Sequence, residues 1–375
     1  CYYDKNISKT TDTYNGFSAT TAQMKTPSIF TGWDFENVWG IDANINDGYP
    51  YLKFGTYEYE NEGSGSKYDP YMIYSVEDLI AITEGRIGKT DSYYELANDI
   101  TLDAVFWTPI GGNRSNRNFD GIFNGTGHTI YGLNITQDNF DNSGLFGYVT
   151  GTITNLGVSG HIDVSTNNAG MLAGYVYNGT VTNCFSTGTI TAKENVGGLI
   201  GYTYSNAPNN TSPTTVENCY SRVTITGLKT GVSNYLGGLI GKDCVYEYNP
   251  TVIKRCYSAS LISTENTIGS NVGGLIGCLS RQYTNSYATL LFCYYDKNIS
   301  KTTDTYNGFS ATTAQMKNQS IFTGWDFENV WGIDANINDG YPYLKFGTYE
   351  YTSNGSGTEL APYLIYNQED LIAIT

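Results

Sequence analysis

Short apolar clusters bounded by glycine recur through the middle of the chain. They are Gly144-Leu-Phe-Gly147, Met171-Leu-Ala-Gly174, Gly198-Leu-Ile-Gly201, Gly238-Leu-Ile-Gly241 and Gly274-Leu-Ile-Gly277, and their closing glycines lie 27, 27, 40 and 36 residues apart. A second element follows each one: Thr154-Asn-Leu-Gly157, Thr182-Asn-Cys184-Phe-Ser, Glu217-Asn-Cys219-Tyr-Ser, Lys254-Arg-Cys256-Tyr-Ser and Leu291-Phe-Cys293-Tyr-Tyr. A third is alternating and strand-like, as in Gly188-Thr-Ile-Thr-Ala192, Val223-Thr-Ile-Thr226 and Leu261-Ile-Ser263. No stretch between Gly144 and Cys293 keeps a helical period. Short alternating strands at a repeat of ~20–50 residues predict a solenoid. Its rungs stack at ~4.8 Å, like over like. The repeated Leu then lines the interior, and the glycines allow tight corners and close backbone approach. A β-sandwich or propeller is the alternative, but a propeller blade takes roughly 40–50 residues, more than the 27-residue spacing supplies.

A longer repeat encloses this one. Cys1–Tyr59 returns as Cys293–Tyr351, differing only at Thr26/Asn318 and Pro27/Gln319, a period of 292 residues. The chain reads as a window on a tandem array, an arrangement that builds length or multivalency more often than a single catalytic site. The copies diverge at 60–69 and 352–361, both Gly-Ser-Gly-bearing and read as linkers. That division gives 1–59 as the end of one unit, 70–351 as a complete unit and 362–375 as the start of the next. Ser75 before Val76-Glu-Asp-Leu predicts a short N-capped helix, a lid on the first rung, with Asn367 in the same role in the next copy. Thr312-Thr-Ala-Gln315 fits a capping box. The segment Trp325–Leu344 is expected to cover the last rung, because an open solenoid end exposes unpaired backbone. Capped ends favour discrete units joined by linkers.

Composition narrows the partners. Net charge is −16 and only 15% of residues are charged, while Gly (43) and Tyr (34) abound. Such a surface repels phosphate backbones and anionic lipid, which argues against nucleic acid. No apolar run approaches the ~18–20 residues that cross a bilayer. Asn-x-Ser/Thr sequons at Asn6, Asn113, Asn124, Asn134, Asn178, Asn209, Asn210, Asn298, Asn318 and Asn354 permit glycosylation without implying it.

The five apolar clusters resemble the GLUG motif, named for Gly-Leu-apolar-Gly, of bacterial and archaeal surface proteins and adhesins. The flanks are similar too: Gly63-Ser-Gly with Pro70-Tyr-Met-Ile and Glu77-Asp-Leu at the opening, Trp107-Thr-Pro-Ile-Gly111 and Phe119-Asp-Gly-Ile-Phe in the first rungs, and Asn338-Asp-Gly-Tyr-Pro-Tyr-Leu344 at the close. The resemblance implies an all-β fold, a right-handed parallel β-helix (β-solenoid) with short capping helices, located outside the cell. Met171 departs from the first Gly of the pattern, which questions that corner's geometry.

Candidate chemistry is sparse. Cys184, Cys219, Cys256 and Cys293 occupy equivalent rung positions and should stack. Their Cα atoms fall within disulfide range, but parallel side chains hold the Cβ atoms wider than a disulfide prefers, so a reduced buried ladder is expected. No Cys-x-x-Cys or His-Glu-x-x-His is present, and the only histidines are His128 and His161. Asp103 and Asp120, with Arg114 and Arg117 between them, are the remaining candidates for polysaccharide chemistry, without a pairing that demands acid–base work. Asp334-Ala-Asn-Ile-Asn338-Asp339-Gly340 loosely mimics a calcium loop, although an Asn/Asp-Gly turn is the better reading. Thr152/Thr154, Thr180/Thr182, Thr189/Thr191 and Thr224/Thr226 could form outward ladders, and Tyr could build sugar-binding platforms. No cofactor, metal or catalytic residue is assigned. The expected role is a non-catalytic structural segment of a giant extracellular fibre or adhesin stalk, each unit adding about 40–60 Å. Its partners are neighbouring repeat units and other copies of the chain. Glycan or surface-ligand binding is the alternative, ahead of polysaccharide processing.

Overall fold

The computed structural model describes residues 2–10, 16–35, 38–41, 46–52, 63–102, 106–112, 118–206, 213–228, 234–245, 250–265, 271–281, 288–302 and 308–346. The chain forms two compact units, Cys1–Glu60 and Asn61–Thr375.

The larger unit is a parallel β-helix, as the repeat predicts. One long sheet receives a strand from every rung. Tyr71, Tyr94, Phe123, Ile153, Val181, Val216, Ile253 and Leu290 form one column of eight residues in register. Seven steps of ~4.8 Å make this stack about 34 Å tall, shorter than expected. Two five-stranded sheets complete the coil. The second sheet holds Phe146–Val149, Ala173–Tyr177, Ile200–Ser205, Ile240–Val245 and Ile276–Arg281, and the third holds Asn142–Ser143, Asn168–Gly170, Asn195–Gly197, Tyr235–Gly237 and Asn271–Gly273.

Each Gly-Leu-x-Gly cluster is the bend between a third-sheet and a second-sheet strand. Its Leu points inward, and Leu145, Leu172, Leu199, Leu239 and Leu275 are all fully buried. The Cβ that a side chain would add at Gly198 would collide with the carbonyl of Gly238 in the next rung. Met171 nevertheless keeps the corner: Leu145 N donates to its carbonyl at 3.1 Å and its own N donates to Gly198 O at 3.3 Å, with the side chain buried.

The second element kinks the long sheet. Asn155, Asn183, Asn218, Arg255 and Phe292 adopt left-handed backbone with φ between 51° and 57°. Asn tolerates this region best among residues with a side chain, because its short amide bonds locally. The amides then link rung to rung. Asn155, Asn183 and Asn218 each donate Nδ2 to the Oδ1 of the Asn above (Asn124, Asn155 and Asn183) at 3.0, 2.9 and 3.0 Å, and Arg255 Nε ends the ladder on Asn218 Oδ1 at 3.0 Å.

The predicted helix spans Val76–Glu84, with Ser75 as N-cap, Asp78 completing the capping box and Gly85 in left-handed conformation at its end. It buries Leu79 and Ala81 completely. It directly follows Tyr71–Ile73, the edge strand of the long sheet. The linker assigned to 60–69 needs correction at its C-terminal part. Ser64 N and Ser66 N both donate to Asp69 O, and Tyr93 N donates to Gly65 O at 3.0 Å, so 63–69 is a folded turn hydrogen-bonded to the first rungs. Residues 352–375, with the second linker and Asn367, lie outside the described residues.

After the last rung the chain adds the strand Phe309–Ala311 and the capped helix Thr313–Met316, where the expected Thr312/Gln315 box is present. A hairpin of Trp331–Gly332 and Tyr343–Leu344 follows. The module partly covers the last rung as expected, since Phe309–Ala311 pairs with Tyr294–Asp296 and Trp325 Nε1 donates to Phe292 O at 2.8 Å, but its hairpin and tail fold back along the outer face of the long sheet. Phe185, Tyr220, Tyr257 and Tyr294 form an outward column there, in register. The rings of Phe185, Tyr220 and Tyr257 stack with centroids 5.0 Å apart at each step. Trp325 and Trp331 pack on Tyr257, and Phe346 reaches Phe185, with centroids 5.7 Å apart, and the backbone of Gly127. An outward aromatic column is a large apolar surface that water disfavours, and the module's tryptophans cover it.

The smaller unit repeats this module's sequence and its internal structure. Tyr2–Asp4 pairs with Phe17–Ala19, and Trp39–Gly40 with Tyr51–Leu52. The Trp33–Trp39 centroid distance is 4.1 Å, against 4.2 Å for Trp325–Trp331. Tyr49 OH donates to Asp4 at 2.7 Å, as Tyr341 OH does to Asp296. Burial differs: Leu52 is 38% exposed against 6% for Leu344, and Trp39 is partly exposed where Trp331 is fully buried.

Candidate functional surfaces

The residue after each closing glycine of the corner motif points outward from the second sheet. Those positions are Tyr148, Tyr175, Tyr202, Lys242 and Cys278, in register. Two residues further on lie Tyr177 and Tyr204, in register with Cys244. Tyr148 and Tyr175 meet edge to face at 4.6 Å, Tyr175 and Tyr202 stack at 4.9 Å with 10° between planes, and Tyr177 and Tyr204 lie 5.5 Å apart. Lys242 Nζ sits over the rings of Tyr202 and Tyr235, at 5.7 and 4.6 Å. Burial pushes the phenols of Tyr148, Tyr175 and Tyr202 up, so they remain neutral hydroxyl groups over the physiological range. Because the rings largely stack on one another, this partly exposed face presents ring edges and hydroxyls more than open ring faces. The abundance of Tyr is plain in the sequence, but this placement is not. The recurring Gly-Tyr after the corner motif is the signal that points to it.

On the long sheet, the Thr226 hydroxyl meets that of Ser263 in the next rung at 3.3 Å, and Thr182 donates to Thr154 at 2.9 Å. One rung on, Glu217 interrupts that column and pairs with Lys254 at 2.6 Å and with Arg255.

The cysteine ladder is a column of free, buried thiols. The thiols of Cys184, Cys219, Cys256 and Cys293 donate to the carbonyls two residues back, at 3.1–3.4 Å. Burial holds the thiols of Cys219, Cys256 and Cys293 well above their ordinary range, which suppresses the reactive thiolate.

The remaining sequence candidates are scattered. His128 Nδ1 lies 3.2 Å from Asp99, whose carboxylate also accepts Thr129 N, so the pair fixes a turn into a strand. His161 Nδ1 contacts Thr189 Oγ1 at 2.7 Å on the outer face of the long sheet. Asp120 is exposed, and its backbone N donates to Thr90 O. Asp103, Arg114 and Arg117 lie outside the described residues. Of the sequons, Asn124 and Asn178 spend their amides on Glu95 and on Asn206 O, Asn6 and Asn298 are exposed, and Asn113, Asn209, Asn210 and Asn354 lie outside the described residues.

The calcium-like segment does not fit a cation. Asn338 and Asp339 form a left-handed turn, with φ 51° and 53°. Arg222 donates to Asn338 Oδ1 at 2.7 Å and pairs with the Asp339 carboxylate, which it holds below the usual carboxylate range. The Asp334 side chain is spent on Asn336 N at 2.8 Å. A guanidinium thus occupies the place a cation would take. Among the described residues no three His, Cys, Asp or Glu side chains group as a metal site.

Sequence reasoning also missed Asp243. It points inward between Thr203 and Leu279, fully buried. Thr203 Oγ1 donates to its Oδ1 at 2.6 Å, and the buried Thr251 hydroxyl lies beside the same carboxyl. Burial raises its carboxyl to about 6.

Comparison with known proteins agrees with this architecture. The family model of the GLUG motif matches residues 165–191 and 194–226, so the chain carries the motif its sequence resembles. Halomucin of Haloquadratum walsbyi is 31% identical over 148 residues, 37% of this chain and 2% of that protein. A protein of Evansella cellulosilytica, provisionally called a Gly-rich membrane protein, is 33% identical over 134 residues, 35% of this chain and 14% of that protein. The chain therefore matches only a small part of either relative. The crystal structure of a candidate immunoglobulin A1 protease from Bacteroides ovatus superposes with a TM-score of 0.56 at 18% identity, over 76% of this chain and 95% of that one, a likeness of fold.

Proposed function

We propose that this chain is a non-catalytic structural segment of a much longer cell-surface protein, one link of a stalk built from tandem β-helical units. The observation that carries the reading is the near-identity of Cys1–Tyr59 with Cys293–Tyr351, two substitutions in 59 positions repeated 292 residues apart, around a rung stack of eight. Selection for a catalytic site constrains a few residues, whereas an array of interchangeable links keeps whole units alike. The names of the relatives support a surface location, and their length supports a long parent chain. The residues with the right chemistry for a reaction support the non-catalytic part: His128, His161 and Asn338/Asp339 are each held in structural hydrogen bonds. Protease shaving of intact cells tests the location. Peptides of this chain should appear in the shaved fraction at the level of known surface proteins. Their recovery only from lysed cells would contradict the proposal.

A second reading rests on the tyrosine face. Five partly exposed phenols beside Lys242 could bind a glycan through hydroxyl contacts and ring edges. A glycan array tests it: binding lost in Tyr175→Ala and Tyr202→Ala would support a lectin role, and an empty array would remove it.

A further inference from the structure

The chain does not leave the complete unit where the solenoid ends. It enters beside the first two rungs, where Gly65 O accepts Tyr93 N. The last described residue, Phe346, lies against Gly127 in the third rung and Phe185 in the fifth. Rungs six to eight thus lie off the line between the points where the chain arrives and departs, and tension along the array reaches them only through the docked module. That docking has two parts: at the last rung, Phe309–Ala311 pairs with Tyr294–Asp296, Trp325 Nε1 donates to Phe292 O at 2.8 Å and Tyr341 OH to Asp296 at 2.7 Å, and on the outer face a separate set of bonds fastens the strap. Arg222 holds Asn338 and Asp339, Tyr257 OH donates to Pro342 O at 2.7 Å, and Asn338 Nδ2 donates to Tyr257 OH at 2.9 Å. Beneath them Trp331 and Tyr341 press on Tyr257, with centroids 6.1 and 6.2 Å away. The module does not need this seat to take its own shape. The same sequence in Cys1–Glu60 keeps the hairpin, the tryptophan pair and the Tyr49–Asp4 bond.

We infer that the segment 297–346 is a tension-released strap: pulling on the chain lifts it from the Phe185–Tyr220–Tyr257 column before the rungs unravel. The device extends the array reversibly while the rungs, and whatever they carry, stay folded. It gains its meaning from the stalk reading, but it is a property of the single unit and is measured there. Local elements with separable interfaces open at lower free energy than the global fold, and forced opening follows the unfolding rate.

The test is optical-tweezer extension of the whole 375-residue chain, held at its two ends. The chain contains its own control, since Cys1–Glu60 is the module without rungs of its own. Two events of similar length are expected before the rungs yield. Each releases about 50 residues, roughly 17 nm of contour at ~3.5 Å per residue. One occurs at low force, from the unseated copy, and one at higher force, from the strap. Arg222→Ala should speed only the second, roughly tenfold or more at constant force, as expected for losing charge-assisted hydrogen bonds. Arg222→Lys, which keeps the charge and loses the fork, should fall between. A strap that releases together with the rungs in one event overturns the inference, and so does a second event that Arg222→Ala leaves unchanged. Neither result bears on whether the parent protein is a stalk, which shaving and imaging decide separately.

Discussion

Ser186 Oγ donates a 2.8 Å hydrogen bond across the interior to the carbonyl of Gly198, the first glycine of the next corner motif. The bond joins the two halves of the repeat. The Ser of Cys-aromatic-Ser sits on the long sheet, and the glycine it reaches is where the chain turns between the other two sheets. Ser221 makes the same bond to Gly238, which Ser260 also contacts at 3.0 Å. Gly198 O also accepts Met171 N at 3.3 Å, so the inward Ser supplies a second, shorter bond to a buried carbonyl. Ser186→Ala should therefore cost about 0.5–1.5 kcal/mol in denaturant unfolding, the loss of one buried hydrogen bond from a carbonyl that keeps its backbone donor. Thr182→Ala, on the outer face of the same strand, should cost less than about 1 kcal/mol.

The asparagine kink makes a second prediction, because two effects can be separated. Asn183→Ala loses the ladder bonds to Asn155 and Asn218 and also forces Ala into left-handed backbone. Asn183→Gly loses only the bonds. The alanine variant should be less stable than the glycine variant by about 1 kcal/mol. Equal stability would mean that the backbone conformation contributes nothing.

Much of this fold was legible in the sequence for reasons these two cases show. A solenoid stacks like on like, so Leu at every corner, and Leu156 followed by Cys184, Cys219, Cys256 and Cys293 at the inward position after the kink, recur at fixed places in the motif. The route of the C-terminal module was not legible. Trp325 and Trp331 announce burial but not the surface that buries them, since a segment following rung eight could close the end or turn back. The deciding signal lies in the parity of one strand: Phe185, Tyr220 and Tyr257 fall between inward Cys and Ser, so alternation puts three aromatic rings outward in consecutive rungs. Gly63–Asp69 misled for the opposite reason. Its glycines meet the needs of a tight turn, and composition alone cannot tell that from a linker. Asp243 resembled any surface carboxylate, because parity along a short strand is reliable only once its register is known.

Asp243 gives the pH prediction. Its carboxyl is raised to about 6 in the folded chain, from an ordinary value of 3.8. The native state therefore binds more protons than the unfolded state between about pH 4 and 6. This group's contribution is most favourable below pH 4 and is lost as pH rises through 6, on the order of 2–3 kcal/mol in total. Asp243→Asn should be more stable than the parent at pH 7.5, and the difference should shrink toward zero or reverse at pH 4, measured by urea unfolding at both values. A pH-independent difference would contradict the buried charge.

Thiol accessibility is the fourth test. Cys184, Cys219, Cys256 and Cys293 are buried, while Cys278 is partly exposed. In the native chain at pH 8, iodoacetamide should label Cys278 well ahead of the four ladder cysteines, and those four should react fully only in denaturant. Rapid native labelling of Cys219 would contradict a closed core.

Electron cryotomography of the native cell surface tests the central claim most directly. The account predicts extended arrays of repeating particles, one per 292 residues of parent chain, each with a solenoid body about 34 Å along its axis. Isolated globular particles, with no parent chain longer than about one unit, would contradict it.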